Sequence, residues 1–288
     1  MTCPTVSFEF FPPKNIAGSF RLFETVKTLG PLAPEFVSVT YGAGGTTRQL
    51  THEAVEAIHT SSGLRVAAHL TCVDATRAET LEIARNYKSA GVKDIVALRG
   101  DPPKGTNGFE AHPGGFASSL ELISALKSEG DFLIRVGAYP DTHPDAPDFQ
   151  SGIDFLKAKF DAGADSAITQ FFFETESFLR FRDACTKAGI TQPILPGILP
   201  IEDWSKTRRF ATACGTPVPT WLDEAYRQAE RDDRAELLST SLATEMCSEL
   251  MDEGVEHLHF YTLNRPELTR DICTAIGRTI KLDLAEVA

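Results

Sequence analysis

Alternating short apolar runs and amphipathic segments predict a (β/α)8 barrel of the TIM-barrel type. The chain has 288 residues, and such barrels typically need about 250. Eight apolar runs are bounded by turn residues, and helix-like segments separate them, as in parallel β/α units. Several helix-like segments end in a glycine, which readily takes the left-handed conformation that follows a helix: Gly63, Gly91, Gly163, Gly189 and Gly254. We therefore predict one α/β catalytic domain, a (β/α)8 barrel over residues 1–288, with no regulatory domain.

The order of the elements follows from the two periodicities. Runs rich in β-branched and aromatic residues are the predicted strands, at 5–11, 36–41, 65–71, 94–99, 133–139, 167–173, 193–199 and 257–262. Segments with helical spacing of apolar residues are the predicted helices, near 16–29, 48–62, 76–90, 117–129, 149–162, 175–188, 203–214, 232–253 and 267–280. Residues 216–233 we interpret as a long irregular loop. An open doubly wound sheet is the alternative fold, but it predicts a glycine fingerprint after the first strand, where FEFFPPKN (8–15) stands.

Composition and charge exclude several classes of function. The net charge of −12 argues against a nucleic-acid or anionic-membrane partner, because both require a basic face. No apolar run approaches the roughly 20 residues of a membrane span, and the N-terminus lacks the features of a signal peptide. The six cysteines are scattered without a C-x-x-C pair, as expected for reduced thiols. We expect a cytoplasmic protein.

Alternation along each strand separates an apolar face from a small or polar face. In the first strand Val6, Phe8 and Phe10 lie on one face, and Ser7 and Glu9 lie on the other. Because the apolar face should pack against the helices, we expect the polar face to point into the barrel. Polar residues also occupy most strand ends, where barrel enzymes place their active sites: Glu9, Thr40, His69 with Thr71, Arg99-Gly100-Asp101, Tyr139 with His143, Gln170, and Tyr261 with Asn264-Arg265. This convergence predicts an enzyme.

Two carboxylates are the candidate acids. Glu9 stands among aromatic residues, which should disfavour its charged form and raise its pKa, as suits a general acid. The alternative for Glu9 is an ion pair with Lys14 or another base. Asp101 begins the stiff loop that follows the fourth strand, where it is either a catalytic carboxylate or an ordinary turn residue.

Two glycine-rich stretches and one histidine pair are weaker signals. YGAGGTTR (41–48) and HPGGFASS (112–119) each lead into a helix, where backbone N–H groups can bind a phosphate, but both also read as flexible turns. His257 and His259 share one strand face and resemble a metal-binding HxH pair. They lie on the last strand, whereas barrel metallohydrolases place such a pair on the first, so we favour hydrogen bonding in the core and predict no metal site.

Eight motifs in a fixed order identify a known family. FEFFPPK, FVSVTYGAGG, AHLTC, IVALRGDPP, AYPDTHP, DAGADSAITQFFF, PGILPI and FYTLNR together resemble methylenetetrahydrofolate reductase over residues 6 to 280. The resemblance implies a barrel that binds FAD non-covalently and uses NADH or NADPH as co-substrate in a ping-pong reaction. The acid would open the ring of 5,10-methylenetetrahydrofolate to a 5-iminium cation, and a hydride from the flavin would give 5-methyltetrahydrofolate.

The same resemblance implies roles for individual residues. Glu9 matches the general acid, and Asp101 matches a carboxylate that tunes flavin and pterin. Substrate contacts would come from Gln170, the aromatic Phe210 and Arg265. Lys206 departs from the family pattern, and our own hypothesis is that it pairs with the glutamate tail of folate together with Arg208 and Arg209. Flavin contacts would come from Thr40, His69, Arg99, Gly100, Asp101, Ala117, Ser118, Tyr139, His143 and Lys159. We expect a homo-oligomer, either a dimer or a tetramer. The other functions considered are a metal-dependent barrel hydrolase and a folate-binding barrel without turnover.

Overall fold

The computed structural model describes residues 3–41, 48–73, 75–101 and 109–279. Its strands are β1 (Thr5–Phe10), β2 (Phe36–Val39), β3 (Val66–Thr71), β4 (Asp94–Leu98), β5 (Leu133–Ala138), β6 (Ser166–Thr169), β7 (Ile194–Leu195), β8 (Gly197–Ile198) and β9 (His257–Tyr261). Its helices are α1 (Ile16–Leu29), α2 (Arg48–Ser62), α3 (Arg77–Ser89), α4 (Ser119–Glu129), α5 (Phe149–Asp161), α6 (Thr175–Lys187), α7 (Trp204–Cys214), α8 (Thr220–Arg231), α9 (Ala235–Asp252) and α10 (Pro266–Ala275).

The strands form one parallel sheet in the order β7-β6-β5-β4-β3-β2-β1-β9-β8. The two edge strands, β7 and β8, are consecutive in the chain and are separated only by Pro196, so the sheet curls into a nearly closed barrel. The predicted barrel is confirmed. The predicted seventh strand, 193–199, is divided into two short strands because Pro196 has no N–H to donate to the ladder.

Glycines end the helices where the sequence predicted. Gly63, Gly91, Gly163, Gly189 and Gly254 all have positive φ, between 65° and 113°. At the other end of α3, Thr76 and Glu79 form a reciprocal capping box. These local signals set where the helices begin and end. Because the strands are parallel, their C-terminal ends all lie on the same side of the barrel.

Burial confirms the predicted faces of the first strand. Phe8 and Phe10 belong to the large apolar core between sheet and helices, together with Val37 and Leu258. A second, smaller cluster fills the barrel interior and consists of Phe36, Ala67, Val96, Ile168 and Leu195. Ser7 and Glu9 point into this interior, where they meet histidines from β3 and β9.

The interpretation of residues 216–233 as an irregular loop was wrong. Thr220–Arg231 forms helix α8, which buries Leu222, Tyr226 and Ala229. The ring of Tyr226 stacks on Trp204 at 4.9 Å between centroids, and its hydroxyl lies 2.8 Å from Ser239 Oγ. Leu222, Tyr226 and Ala229 stand at i, i+4 and i+7 in an otherwise polar segment, so the helical pattern was present in the sequence and was overlooked, and packing against α7 and α9 stabilises the helix.

Candidate active site

Glu9 lies at the C-terminal end of β1, between two histidines. Its Oε2 atom is 3.3 Å from Nε2 of His69 and 3.8 Å from Nε2 of His259. The side chain of Glu9 is 15% exposed and that of His259 is fully buried. The carboxylate therefore belongs to the barrel interior but remains open to the end of the barrel where ligands bind.

The predicted rise in the pKa of Glu9 was wrong. Burial alone would raise it, but the charges and hydrogen bonds of His69 and His259 outweigh burial and lower the pKa to about 2. The sequence showed only the aromatic neighbours of Glu9, whereas the fold brings in imidazoles from two other strands. Neither does Glu9 pair with Lys14 among the described contacts, since its ion-pair partners are these two histidines.

Tyr261 lies beside Glu9 on the neighbouring strand β9. Its hydroxyl donates a 2.6 Å hydrogen bond to the Thr169 carbonyl oxygen, and its ring edge meets His259 at 5.2 Å between centroids. Gly197 allows this close approach, because a Cβ atom there would lie 2.5 Å from Tyr261 Cε2. Burial, then the charge of Glu9, raises the pKa of Tyr261 well above its usual value.

Gly100 makes a close turn between Arg99 and Asp101 after β4. Its φ is +87°, and a Cβ atom would lie 2.6 Å from Val73 Cγ2 and 2.9 Å from Thr71 Cβ. Arg99 pairs with Asp145 at 2.8 Å and covers the ring of Phe109. Asp101 is exposed, and its charge contributes to the raised pKa of Tyr139.

The ends of β5 and β6 carry an aromatic and amide cluster. The ring of Tyr139 meets His143 edge-on at 4.4 Å, and its hydroxyl interacts with the Gln170 side chain. Burial raises the pKa of Tyr139 to about 12 and lowers that of His143. Lys159 reaches up from α5 to donate a 2.7 Å hydrogen bond to the Gly137 carbonyl oxygen, and burial followed by Arg99 lowers its pKa to about 8.

Phe210 projects from α7 beside these strand ends. It stacks on buried Phe171 at 5.4 Å between centroids with an interplanar angle of 22°, yet 44% of it remains exposed. Lys206, one turn earlier, pairs with Asp203 at 2.6 Å. Arg265 precedes α10 and pairs with Glu202 at 2.6 Å. Both cations are therefore at the rim and already have an acidic partner.

The segment before α4 carries the remaining predicted contacts. Ser118 is the N-cap residue but makes no side-chain capping bond, and the exposed Ala117 donates its N–H to Glu121 Oε2 at 3.2 Å. Arg77 pairs with Glu121 and covers the ring of Phe116. Thr40 follows β2, with its N–H bonded to the Phe10 carbonyl oxygen. In YGAGGTTR, residues 42–47 lie outside the described residues.

The family model of methylenetetrahydrofolate reductase matches residues 2–277. The 5,10-methylenetetrahydrofolate reductase of Salmonella typhimurium is 44% identical over 273 residues, which cover 94% of this chain and 90% of that protein.

The chain belongs to the methylenetetrahydrofolate reductase family. It is thus an NAD(P)H-dependent oxidoreductase of folate and one-carbon metabolism, and family membership implies a flavoprotein. A plant relative, methylenetetrahydrofolate reductase (NADH) 1 of Arabidopsis thaliana, is 38% identical over 97% of this chain and 48% of its own length.

Solved structures of other proteins share the fold of the reductase. A Clostridium thermocellum protein that binds two copies of 5-methyl-5,6,7,8-tetrahydrofolic acid matches with a TM-score of 0.61 at 14% identity, covering 96% of this chain and 95% of that one. At this identity the likeness supports the barrel alone. Within the described ranges, no helix has both the length and the apolar character to cross a membrane.

Most of the residues that meet here were predicted from their positions at strand ends, but several of the contacts between them were not. Glu9, His69, Tyr139 and Gln170 lie at the C-terminal side of the barrel, while Lys206 and Arg265 stand apart at the rim. Sequence reasoning did not predict the contact of His259 with Glu9 or the stacking of Phe171 beneath Phe210. Alternation had placed His259 on the inward face, and that signal was sufficient to find it.

Proposed function

We propose that Glu9, backed by an imidazole, is the general acid of a flavin-dependent methylenetetrahydrofolate reductase. The observation that supports this role is the placement of one carboxylate oxygen against Nε2 of both His69 and His259 at the ligand-binding end of the barrel. Because the pKa of Glu9 is about 2, Glu9 is ionised at neutral pH. Glu9 must therefore take up a proton before it acts on the substrate, and the two imidazoles position the carboxyl group that receives it.

The residues of this barrel suit a non-covalently bound FAD. Thr71 Oγ1 is a buried polar atom without a hydrogen-bond partner among the described residues, and it stands on the inward face of β3. Gly100 leaves its backbone uncovered, because a side chain there would clash with Val73 and Thr71. The N-terminal N–H groups of α4 have no side-chain cap and could bind a phosphate of FAD. Bound FAD would carry the hydride from NAD(P)H to the methylene carbon.

Other predicted flavin contacts surround the same space. Tyr139 and His143 offer an aromatic wall, and Arg99 and Lys159 supply positive charge beside it. Thr40, Ala117 and Ser118 would reach the outer parts of the cofactor. Asp101 is exposed at this end of the barrel, and its carboxylate would stabilise cationic character in the substrate.

On the substrate side, the stacked pair Phe171 and Phe210 offers a flat apolar surface for an aromatic ring. Gln170 supplies an amide at its edge. Arg265 and Lys206 would bind the anionic tail by exchanging their present partners, Glu202 and Asp203, for carboxylates of the ligand. Because both pairs are solvent-exposed, the exchange would cost little.

Glu9→Gln tests the proposal. The amide cannot donate a proton as an acid does, so reduction of methylenetetrahydrofolate should fall by about 10²- to 10⁴-fold. Bleaching of the bound flavin by NADH or NADPH, measured anaerobically without folate, should stay close to that of the unaltered protein. Glu24→Gln removes the same charge from the exposed face of α1 and should change neither rate. Folate turnover that survives Glu9→Gln would remove Glu9 from the mechanism.

We further propose that the barrel is a single catalytic domain, that it is cytoplasmic, and that it assembles as a homo-oligomer. Support for a reduced compartment comes from the six cysteines, all of which lie in described residues and are unpaired. Support for assembly comes from Ile16, Phe20 and Phe23, large apolar side chains that α1 leaves exposed on one side. Sedimentation of the purified holoenzyme would report a dimer or tetramer.

A further inference from the structure

Helix α1 exposes an apolar stripe that points away from the core. Ile16, Phe20 and Phe23 recur at i, i+4 and i+7, so they lie on one face of the helix, while Leu22 and Leu29 are buried on the other. Ile16 is 78% exposed and Phe20 is 73% exposed. In the described part of the chain, no other helix exposes more than one large apolar side chain. Such a gathering of exposed apolar side chains marks an interaction surface.

The stripe is flanked by basic residues, although the protein as a whole is acidic. Lys14, Arg21 and Lys27 are exposed and have no ion-pair partner among the described residues. Residues 14–29 contain these three cations and one acid, Glu24, so their net charge is +2 in a chain whose net charge is −12. A partner for this surface should therefore combine apolar contacts with negative charge.

A groove of about 900 Å³ on the outside of the barrel has the complementary character. It is bordered by α6, α8 and α9, and its apolar floor contains Leu179, Leu199, Ile201, Leu242 and Met246. Six acidic side chains also line the groove: Glu174, Glu176, Glu245, Glu249, Asp252 and Glu253. None of the described residues that line it is basic.

Most of this negative charge is not neutralised within the chain. Glu176, Glu245 and Asp252 are exposed and have no ion-pair partner that the structure describes. Arg182 reaches only one of the lining acids, Glu253, at 4.0 Å. Acids gathered around an apolar floor repel one another, so a partner that is both apolar and cationic would relieve the repulsion and cover the floor.

The stripe and the groove face different directions, so they cannot meet within one chain. Helix α1 packs against α10, α10 packs against α9, and α9 packs against α6. Helices α10 and α9 therefore lie between the stripe and the groove. Because the outer ring of a (β/α)8 barrel has eight helical positions of about 45° each, the two surfaces face about 110° apart. A contact between them joins two copies head to tail.

We propose that helix α1 of one copy docks its stripe of Ile16, Phe20 and Phe23 into the acidic groove of a second copy, and that repetition of this contact closes a ring. The aromatic rings would cover the apolar floor, and Arg21 and Lys27 would pair with the unneutralised acids. The inference rests on the proposed homo-oligomer and names the surfaces that build it.

This geometry also selects between the two predicted oligomers. In a two-fold dimer both copies use the same patch of surface, which would require the stripe and the groove to lie on one side of the molecule. A ring of four copies requires contact surfaces about 90° apart, close to the angle between stripe and groove. We therefore expect a tetramer.

Phe20→Glu tests the α1 side of the contact, and Ala243→Glu tests the groove side. Phe20→Glu sets an acid against the acidic groove, and Ala243→Glu places an acid on the groove wall formed by α9. Each should raise the dissociation constant of the assembled holoenzyme about tenfold or more, measured by sedimentation velocity. Leu237→Glu is the matched control, because it replaces an exposed large apolar side chain of α9 outside the groove. It should leave assembly unchanged.

A mixture of the two variants identifies the contact as head to tail. Phe20→Glu retains its groove and Ala243→Glu retains its stripe, so one intact contact can form between them. Each variant alone should sediment as a monomer, and the equimolar mixture should sediment as a heterodimer that grows no further. Both should keep the flavin absorbance of the Leu237→Glu protein. Should Ala243→Glu fold poorly, the double substitution Glu245→Lys with Asp252→Lys reverses two exposed charges of the groove and should weaken assembly as strongly.

The outcomes separate this contact from assembly itself. A holoenzyme that stays monomeric at every concentration would overturn both the proposed homo-oligomer and the ring. An oligomer that survives Phe20→Glu, or that survives both groove variants, would overturn the ring and leave the homo-oligomer. A mixture that stays monomeric would overturn the head-to-tail contact. An equal loss of assembly in Leu237→Glu would show that any added acid prevents association, and it too would overturn the inference.

Discussion

Replacing Gly197 by alanine tests how the barrel positions Tyr261. A Cβ atom at residue 197 would lie 2.5 Å from Tyr261 Cε2 and 3.0 Å from its hydroxyl oxygen. It would also collide with the Thr169 carbonyl oxygen, which is backbone of the neighbouring strand and cannot rotate away. The tyrosine ring therefore has to move, and the backbone at residue 197 has to shift away from Thr169.

The expected cost follows from these contacts. Overpacking in a core costs about 1–3 kcal/mol. Displacing Tyr261 also breaks its 2.6 Å hydrogen bond to Thr169, which contributes about 0.5–1.5 kcal/mol. We expect Gly197→Ala to lower the free energy of unfolding by roughly 2–4 kcal/mol. Folate turnover should fall as well, because the Tyr261 ring edge rests against His259.

Urea unfolding followed by circular dichroism, with FAD in excess, measures this loss. Gly152→Ala is the control, because Gly152 lies inside α5 and a Cβ atom there meets nothing within 4 Å. The same substitution should there stabilise the protein by about 0.5–1 kcal/mol. A Gly197→Ala protein within about 0.5 kcal/mol of the unaltered protein, a spread typical of surface substitutions, would refute the reasoning.

Two further predictions concern pH and substrate binding. The pKa of His257 is lowered to about 3 by burial, His259, Arg135 and Arg278, so the unfolded chain binds more protons than the folded protein between pH 6.5 and 3. The free energy of unfolding should therefore fall by up to about 5 kcal/mol as the pH falls from 6.5 to 3. His257→Gln should reduce this dependence of unfolding free energy on pH, measured by urea titrations at several pH values. Phe210→Ala removes the exposed half of the stack with Phe171; the KM for methylenetetrahydrofolate should rise by about 2- to 10-fold, with a change in unfolding free energy below about 1 kcal/mol. An unchanged KM would place the folate ring elsewhere.

The sequence predicted the fold largely through local signals. Glycines at helix ends act within one turn of chain, and alternation along a strand reports which face is buried, so barrel, faces and strand ends followed without tertiary information. The helix at 220–231 was not predicted, although Leu222, Tyr226 and Ala229 have the i, i+4, i+7 spacing of an amphipathic helix. Pro196 shortened the seventh strand, although its missing N–H was visible in the sequence.

For the candidate site too, the sequence determined some features and the tertiary structure determined the others. The sequence by itself determined that Glu9, His69 and His259 point into the barrel, because strand alternation fixes orientation residue by residue. Only the tertiary structure decided that they touch, because parallel register places Glu9 opposite Tyr261 and Ser7 opposite His259. That contact reversed the expected direction of the Glu9 pKa, since electrostatic interactions depend on distances between strands that lie far apart in the chain.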